Sequence, residues 1–226
     1  MEDSQTLICN DCPRNCNVAR SLYANAVPLK TGFCRKAFQP TVARAALHHW
    51  EEPCITGTNG SGAVFFGGGN LQCVFCQNSE ISHQDSDIAV TPETLKKIYT
   101  DLISQGAHNI NLVTPTHYIR AVAESLDTRL SVPVIYNCGG YEKIETIHLL
   151  KDKVQIWLPD LKYMDEAVAI RYGAASDYTR VATRAIKEMY EQTGPFETDD
   201  RGLLTRGVII RHLILPGNTE NSKRVI

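Results

Sequence analysis

Short apolar runs alternate with amphipathic stretches along the chain after residue 60. Uninterrupted apolar runs are typical of strands buried on both faces, whereas apolar residues three and four positions apart are typical of helices. The pattern predicts five strands, at residues 63–66, 109–114, 132–136, 154–158 and 207–215. It predicts helices between them, at residues 92–105, 118–126, 144–150 and 166–192, with a break near Gly173.

This alternation of strands and helices predicts right-handed βαβ units, and hence an α/β fold with a parallel sheet. Functional groups in such folds collect at the carboxyl ends of the strands. Each predicted strand ends in glycine or in polar residues, including Thr114, Asn137, Asp160 and Arg211. We therefore expect these strand ends to form one site.

Residues 1–60 are interrupted by proline and glycine too often for long helices or strands. The segment contains four cysteines, namely Cys9, Cys12, Cys16 and Cys34. A metal centre can fold a segment that has little apolar core of its own. The pattern predicts a small, irregular, metal-binding module at 1–60, with either zinc or an iron–sulfur cluster, followed by an α/β domain at 61–226.

The composition limits which partners and which cellular compartment are expected for the protein. The net charge of −2 over 226 residues gives no support for a nucleic-acid surface, and no apolar run is long enough to span a bilayer. The first residues are polar and acidic, unlike a secretory signal. Eight cysteines in a reducing compartment are better interpreted as metal ligands than as disulfides. We expect a cytoplasmic protein.

The loop after the first predicted strand carries the most specific chemistry. It reads Gly67-Gly-Gly-Asn-Leu-Gln-Cys73-Val-Phe-Cys76, so two cysteines lie at C-x2-C spacing after a glycine run. This spacing brings two thiolates to the same side of a tight loop, where they can bind one soft metal centre.

The chain resembles the radical S-adenosylmethionine enzymes, and most closely the branch related to pyruvate formate-lyase activating enzyme. The resemblance rests on the Cys73-Val-Phe-Cys76-Gln-Asn loop and on further segments along nearly the whole chain. These begin at Cys9 (CNDCPRNC), His48 (HHWEEPC), Asn109 (NINLVTPTHY), Leu158 (LPDLKY) and Arg211 (RHLILPG).

The resemblance implies a partial (β/α) barrel that holds a [4Fe-4S] cluster on a C-x3-C-x2-C loop. It implies reductive cleavage of S-adenosylmethionine to a 5′-deoxyadenosyl radical, which abstracts a hydrogen atom. The implied partners are an electron donor such as flavodoxin or ferredoxin and a substrate that is either a glycyl-radical protein or a small molecule. No nucleic-acid or membrane partner is expected.

The resemblance also assigns roles to individual residues. Cys73 and Cys76 match the second and third cluster cysteines, and Asp160 and Lys162 match a D-x-K pattern near the cofactor and substrate. The positions expected to contact the cofactor are Phe75, Thr114, His117, Asn137 and Arg211. Apart from the resemblance, Cys138 is expected to be a packing residue, and His48 and His49, beside Trp50, Glu51 and Glu52, are expected to be structural or at an interface.

The chain departs from the family pattern at Gly69, where the first cluster cysteine is expected. Glycine has no donor atom, so the loop offers two thiolates where three are usual. Three explanations remain open: a degenerate paralogue, an altered residue, or rescue by another ligand such as Cys54, which is the least favoured.

Only nine residues follow Gly217, which suggests a truncated barrel or a fragment. The alternative function is therefore a catalytically inactive protein that binds metal and a partner through the same scaffold.

Overall fold

The computed structural model describes residues 6–79 and 87–226. Its strands are β1 Thr6–Ile8, β2 Ala19–Ser21, β3 Thr41–His48, β4 Ser61–Phe66, β5 Ile88–Ala89, β6 Ile110–Val113, β7 Val134–Cys138, β8 Ile156–Pro159, β9 Glu197–Thr198 and β10 Leu204–Val208. Its α-helices are α1 Pro53–Thr56, α2 Pro92–Ser104, α3 Ile119–Ser125, α4 Ile144–His148, α5 Glu166–Gly173, α6 Tyr178–Thr193 and α7 Thr219–Val225. A 3₁₀ turn spans Thr116–Tyr118.

Eight of these strands form one mixed sheet in the order β5-β3-β4-β6-β7-β8-β10-β9. Strands β4, β6, β7, β8 and β10 are parallel, and β3, β5 and β9 join antiparallel at the two edges. The parallel strands follow one another in sequence order without a reversal. Every residue of β6, β7 and β8 is buried, as expected for parallel strands covered on both faces. The predicted α/β class is confirmed.

One face of the sheet packs against helices and forms the main apolar core. Leu112, Tyr136 and Trp157 lie on this face and are fully buried with residues of α2 and α6. Helix α2 begins as predicted, because the Thr91 hydroxyl accepts a hydrogen bond from the Thr94 amide at 3.2 Å. Local capping and an apolar stripe are sufficient to define this helix.

The opposite face of the sheet is partly polar. Strand register places Asn111 beside Ile135, and Asn137 beside Leu158, on this face. Ile135 and Leu158 pack with Ile55 of α1 in a smaller apolar cluster. Polar side chains therefore approach a buried sheet face next to an apolar layer, which is the setting of a ligand site.

Two predictions about the strands are wrong in part. Residues 1–60 were expected to lack long strands, yet β3 has eight residues and pairs with β4 from Val42 to His48. The fifth strand was expected at 207–215, but β10 begins at Leu204, where it pairs with β9, and ends at Val208. Nonlocal pairing decides both cases, since neither segment has a strong strand pattern of its own.

Among the residues described, no helix combines the length and the apolar character needed to cross a membrane.

We expect Leu112→Ala to reduce the free energy of unfolding by about 2–5 kcal/mol, because it leaves a cavity in the centre of the main core. Urea denaturation would measure the loss, with the slope of the transition unchanged. The matched control is Leu149→Ala, since Leu149 is 46% exposed. Equal losses in the two variants would contradict the placement of the core.

Candidate functional site

Four residues that the sequence placed at three different strand ends meet at one edge of the sheet. Asn137 lies in β7, Asp160 follows β8, and Arg211 lies beyond β10, where its backbone forms a bridge with that of Asp160. Lys162 is two residues after Asp160. Together with Glu51 they form a set that we call the strand-end network.

Arg211 is the centre of the strand-end network. Its Nη2 donates to Asn137 Oδ1 at 2.6 Å, and its Nη1 lies 3.3 Å from Glu51 Oε2. Its Nε lies 3.4 Å from Asp160 Oδ1, while Lys162 Nζ donates to Asp160 Oδ2 at 2.6 Å. The network thus combines two cations and two carboxylates with one amide.

Partial burial shifts the ionisation of this network. Burial raises the pKa of Glu51, and the Arg211 cation opposes that shift. Burial alone would lower the pKa of Lys162, but the Asp160 carboxylate and Cys73 together outweigh burial, so the pKa is raised. Lys162 is therefore held as a cation in a poorly hydrated setting.

The glycine-rich loop carries Cys73 and Cys76 next to this network. The Cys76 amide donates to the Cys73 carbonyl at 3.1 Å, which forms a tight turn between the two thiols. The Tyr163 hydroxyl lies 3.9 Å from Cys73 Sγ, and Lys162 Nζ lies 5.9 Å from the centre of the Phe75 ring. The structure therefore brings the predicted loop and the predicted D-x-K pair together.

The Cys73 thiol is hard to deprotonate in this environment. Burial raises its pKa, and the Lys162 cation partly opposes that effect. A thiolate at this position would consequently depend on Lys162 or on a bound metal.

Gly69 has room for a side chain. A Cβ placed there would lie 3.6 Å from Thr114 Cγ2 and 3.7 Å from the Leu71 carbonyl oxygen, which are ordinary contacts. Its φ lies outside the left-handed region, so the backbone does not require glycine. Thr114 faces this position, and its own φ is 59°.

The donors present do not fit a cluster held by three protein thiolates. The loop supplies Cys73 and Cys76 only, and within residues 6–79 and 87–226 no group of three or more His, Cys, Asp or Glu side chains is arranged to hold a metal ion. Cys54 packs at the apolar cluster of Ile55 and Ile135. The described residues thus reveal no third ligand.

His117 lies under the glycine-rich loop, and its contacts are not with the strand-end network. It is 1% exposed, and its Nε2 donates to the Gly67 carbonyl at 2.7 Å. Burial lowers its pKa to about 3, so the ring is neutral. The structure therefore gives His117 a part in supporting the loop, and its contact with a cofactor stays a prediction.

Two important residues were not identified from the sequence. The Tyr178 hydroxyl contacts the carbonyls of Gly139 and Asp160 and accepts from the Lys162 amide, all within 2.9 Å. Glu142 is buried and accepts from Thr116 at 2.6 Å and from Tyr136 at 3.2 Å. Tyr178 lies on a helix remote in sequence, and no local pattern marks either residue.

The four cysteines near the amino terminus lie largely inside the protein. Cys9, Cys12 and Cys34 are buried, and Cys16 is partly exposed. Burial raises the pKa of Cys12 to about 12 and also raises that of Cys34. Cys138 is buried as well, consistent with the packing role expected for it.

The chain is similar to an archaeal protein of Methanocaldococcus jannaschii that bears the name "Uncharacterized protein MJ0674". The two are 27% identical over 222 residues, which cover 94% of this chain and 58% of the archaeal protein. The chain thus spans less than two thirds of the length of this relative. No protein-family model matches the chain.

We expect Lys162→Met to slow the alkylation of Cys73 by iodoacetamide by roughly 3- to 10-fold near neutral pH, because loss of the cation raises the thiol pKa further. Peptide-resolved mass spectrometry would measure the rate. Lys151→Met, at an exposed lysine, is the control. An unchanged rate at Cys73 would show that Lys162 does not act on this thiol.

Glu142 should make stability depend on pH. Burial raises its pKa from 4.5 to about 7, so the folded state holds the proton more tightly than the unfolded state. Its contribution to stability is present below pH 4.5 and is lost as the pH rises through about 7. Relative to Glu142→Gln, the native protein should lose up to roughly 3 kcal/mol between pH 4.5 and 8.

Urea denaturation at several pH values would measure this difference. Glu145→Gln is the control, because Glu145 is exposed in the same segment. If the native protein and Glu142→Gln show parallel pH profiles, Glu142 does not titrate in this range.

Proposed function

We propose that the chain is a radical S-adenosylmethionine-type iron–sulfur protein of the branch related to pyruvate formate-lyase activating enzyme. The proposed reaction of this scaffold is reductive cleavage of S-adenosylmethionine to a 5′-deoxyadenosyl radical for hydrogen abstraction. One observation carries the proposal. Four residues from three different strand ends, Asn137, Asp160 with Lys162, and Arg211, form one connected network beside Cys73.

The fold supports this proposal. Parallel strands in unreversed sequence order, with helices between them, are the arrangement of an open (β/α) barrel. In that arrangement the carboxyl edge is where ligands bind, and the network lies at that edge. We therefore propose that the sheet is a partial barrel of the radical S-adenosylmethionine type.

The chemistry of the network is suited to the proposed cofactor. The methionyl end of S-adenosylmethionine carries an ammonium, a carboxylate and a sulfonium, so its site needs both signs of charge. Glu51 and Asp160 are suited to the cations, and Arg211 is suited to the carboxylate. Asn111 on the same sheet face is fully buried, and its amide faces Glu51, where it opposes the rise that burial causes in the Glu51 pKa. Phe75 adds an apolar surface.

The proposed activity requires a cluster held by three protein thiolates, but the loop supplies only Cys73 and Cys76. This observation favours a second candidate, in which the chain retains the scaffold and the cofactor-facing network but is catalytically inactive and acts through metal and partner binding. The two candidates differ at position 69 and not in the fold.

The proposed partners follow from the proposed reaction. An electron donor such as flavodoxin or ferredoxin would supply the electron, and the substrate would be a glycyl-radical protein or a small molecule. We propose a cytoplasmic location, where free thiols stay reduced.

We expect Gly69→Cys to raise iron and sulfide incorporation to about four irons per chain after anaerobic reconstitution, because it completes the three-thiolate set. With a strong reductant and S-adenosylmethionine, this variant should form 5′-deoxyadenosine, measured by chromatography, and the native chain should form at least tenfold less. The thiolate set is the physical reason for the difference.

Gly69→Ala is the matched control, since it adds the Cβ without the sulfur and should fold like the native chain. If Gly69→Cys binds a cluster without forming 5′-deoxyadenosine, the inactive candidate is correct. If it gains no cluster, the proposed scaffold is wrong. Full activity of the native chain would show that two loop thiolates suffice.

A further inference from the structure

The segment from residue 6 to residue 40 has an inverted pattern of burial. Its buried apolar residues are Cys9, Cys12, Cys34, Ala37 and Pro40, and it contributes no residue to the three apolar clusters of the described chain. Six of its large apolar side chains are instead exposed, namely Leu7, Ile8, Val18, Tyr23, Val27 and Leu29, and Leu22, Phe33 and Phe38 are half-buried. Thiols therefore occupy the centre of this segment, where a domain of ordinary composition has aliphatic and aromatic residues.

Backbone turns gather the first three cysteines. The Asn15 amide donates to the Cys12 carbonyl and the Asn17 amide donates to the Cys9 carbonyl, each at 3.0 Å. Asn15 and Asn17 have φ values of 43° and 51°, which are uncommon for residues with a side chain. The chain from Cys9 to Asn17 is thus folded back on itself, with asparagine, which tolerates the left-handed region, at both turn positions.

Gly32 and Phe33 bring the fourth cysteine to this turn. The Phe33 amide donates to Cys16 Sγ at 3.4 Å. A Cβ on Gly32 would lie 3.1 Å from the same sulfur, so glycine permits this approach of the backbone. Cys34 follows directly and is buried. The contacts place Cys16 against the segment that carries Cys34.

A buried cation lies beside these thiols. Arg20 is fully buried, and it donates to the carbonyls of Lys36 at 2.8 Å and His117 at 2.9 Å, and to that of Ala37. Its Nη1 also lies 3.6 Å from Cys9 Sγ. No carboxylate of the described chain lies within ion-pair distance of Arg20. A buried charge of this kind needs an anionic counterpart.

We propose that Cys9, Cys12, Cys16 and Cys34 bind one zinc ion in a closed, structural, four-thiolate site. On binding, each thiol releases its proton to solvent, and four thiolates with Zn²⁺ give a centre of net charge of about −2. That charge is the missing counterpart of Arg20. Since the four sulfurs do not converge on one point, binding requires rotation of the cysteine side chains about Cα–Cβ.

A single ion suits this site better than an iron–sulfur cluster. The backbone of Gly32 and Phe33 packs directly against Cys16 Sγ, so the segment that carries Cys34 lies close to this thiol. The site is also closed, as structural zinc sites are, with three of its four cysteines buried.

The consequence is mechanical support for the glycine-rich loop. Arg14, between Cys12 and Cys16, donates to the Asn70 carbonyl at 2.7 Å and to the Gly173 carbonyl at 3.2 Å. Arg20 donates a hydrogen bond to the His117 carbonyl, and the His117 ring donates a hydrogen bond to the Gly67 carbonyl. Zinc would stabilise the segment that carries both arginines. The inference does not depend on the proposed function, because a structural zinc ion needs no reaction at the strand-end network.

The test is the metal content of the full chain, purified in reductant, stripped with a chelator and then supplied with zinc. We expect about one zinc per chain by mass spectrometry of the metal. Substitution with cobalt should give the thiolate charge-transfer bands and the intense d–d bands of a tetrahedral four-sulfur site. In the native sequence, residues 6–40 should also be cleaved more slowly by a protease with zinc than without it.

Single variants Cys9→Ser, Cys12→Ser, Cys16→Ser and Cys34→Ser should each weaken zinc affinity at least about tenfold. Cys138→Ser is the matched control, a buried thiol elsewhere, and should keep the zinc. The double variant Cys73→Ser/Cys76→Ser should also keep it, which separates this site from the loop. The proposal is wrong if the Cys9→Ser and Cys34→Ser variants keep their zinc, or if the double variant Cys73→Ser/Cys76→Ser loses it. It is also wrong if the four cysteines bind iron and sulfide.

Discussion

The guanidinium of Arg211 is the interaction on which the candidate site depends. It contacts Asn137 and Asp160, which belong to two different strand ends, and Glu51 from the segment before β4. Parallel strands bring their carboxyl ends to one edge, but they do not by themselves hold like-charged groups such as Glu51 and Asp160 together. A planar cation between the two carboxylates removes that repulsion and sets their spacing. Lys162 then adds a second cation on the far side of Asp160.

Much of the fold could be predicted from the sequence, because its signals are local. Strands β6, β7 and β8 are short apolar runs, and the start of α2 is marked by Thr91 and Pro92. The position of β3 could not be predicted, since its alanines have little strand preference and the strand depends on nonlocal pairing with β4 and β5. The same reason explains the early start of β10.

The candidate site was predictable to the extent that it follows strand ends. Asn137, Asp160 and Arg211 come directly after or within apolar runs, so their convergence follows from sheet topology. Tyr178 was not predictable, because it reaches the site from a helix that packs across it. The buried position of His117 was not predictable either. The 3₁₀ turn at Thr116–Tyr118 directs this side chain under the loop and away from the strand-end network.

The open space at Gly69 has a consequence for how such a protein can change over time. A side chain at this position meets only ordinary contacts, and the backbone there is one that any residue can adopt. Folding stability therefore places almost no constraint on the side chain at position 69. A cysteine could appear or disappear here without a misfolded intermediate, which would change the number of thiols in the loop between two and three. The fold of this chain and the set of donor atoms that its loop offers can thus change independently of each other.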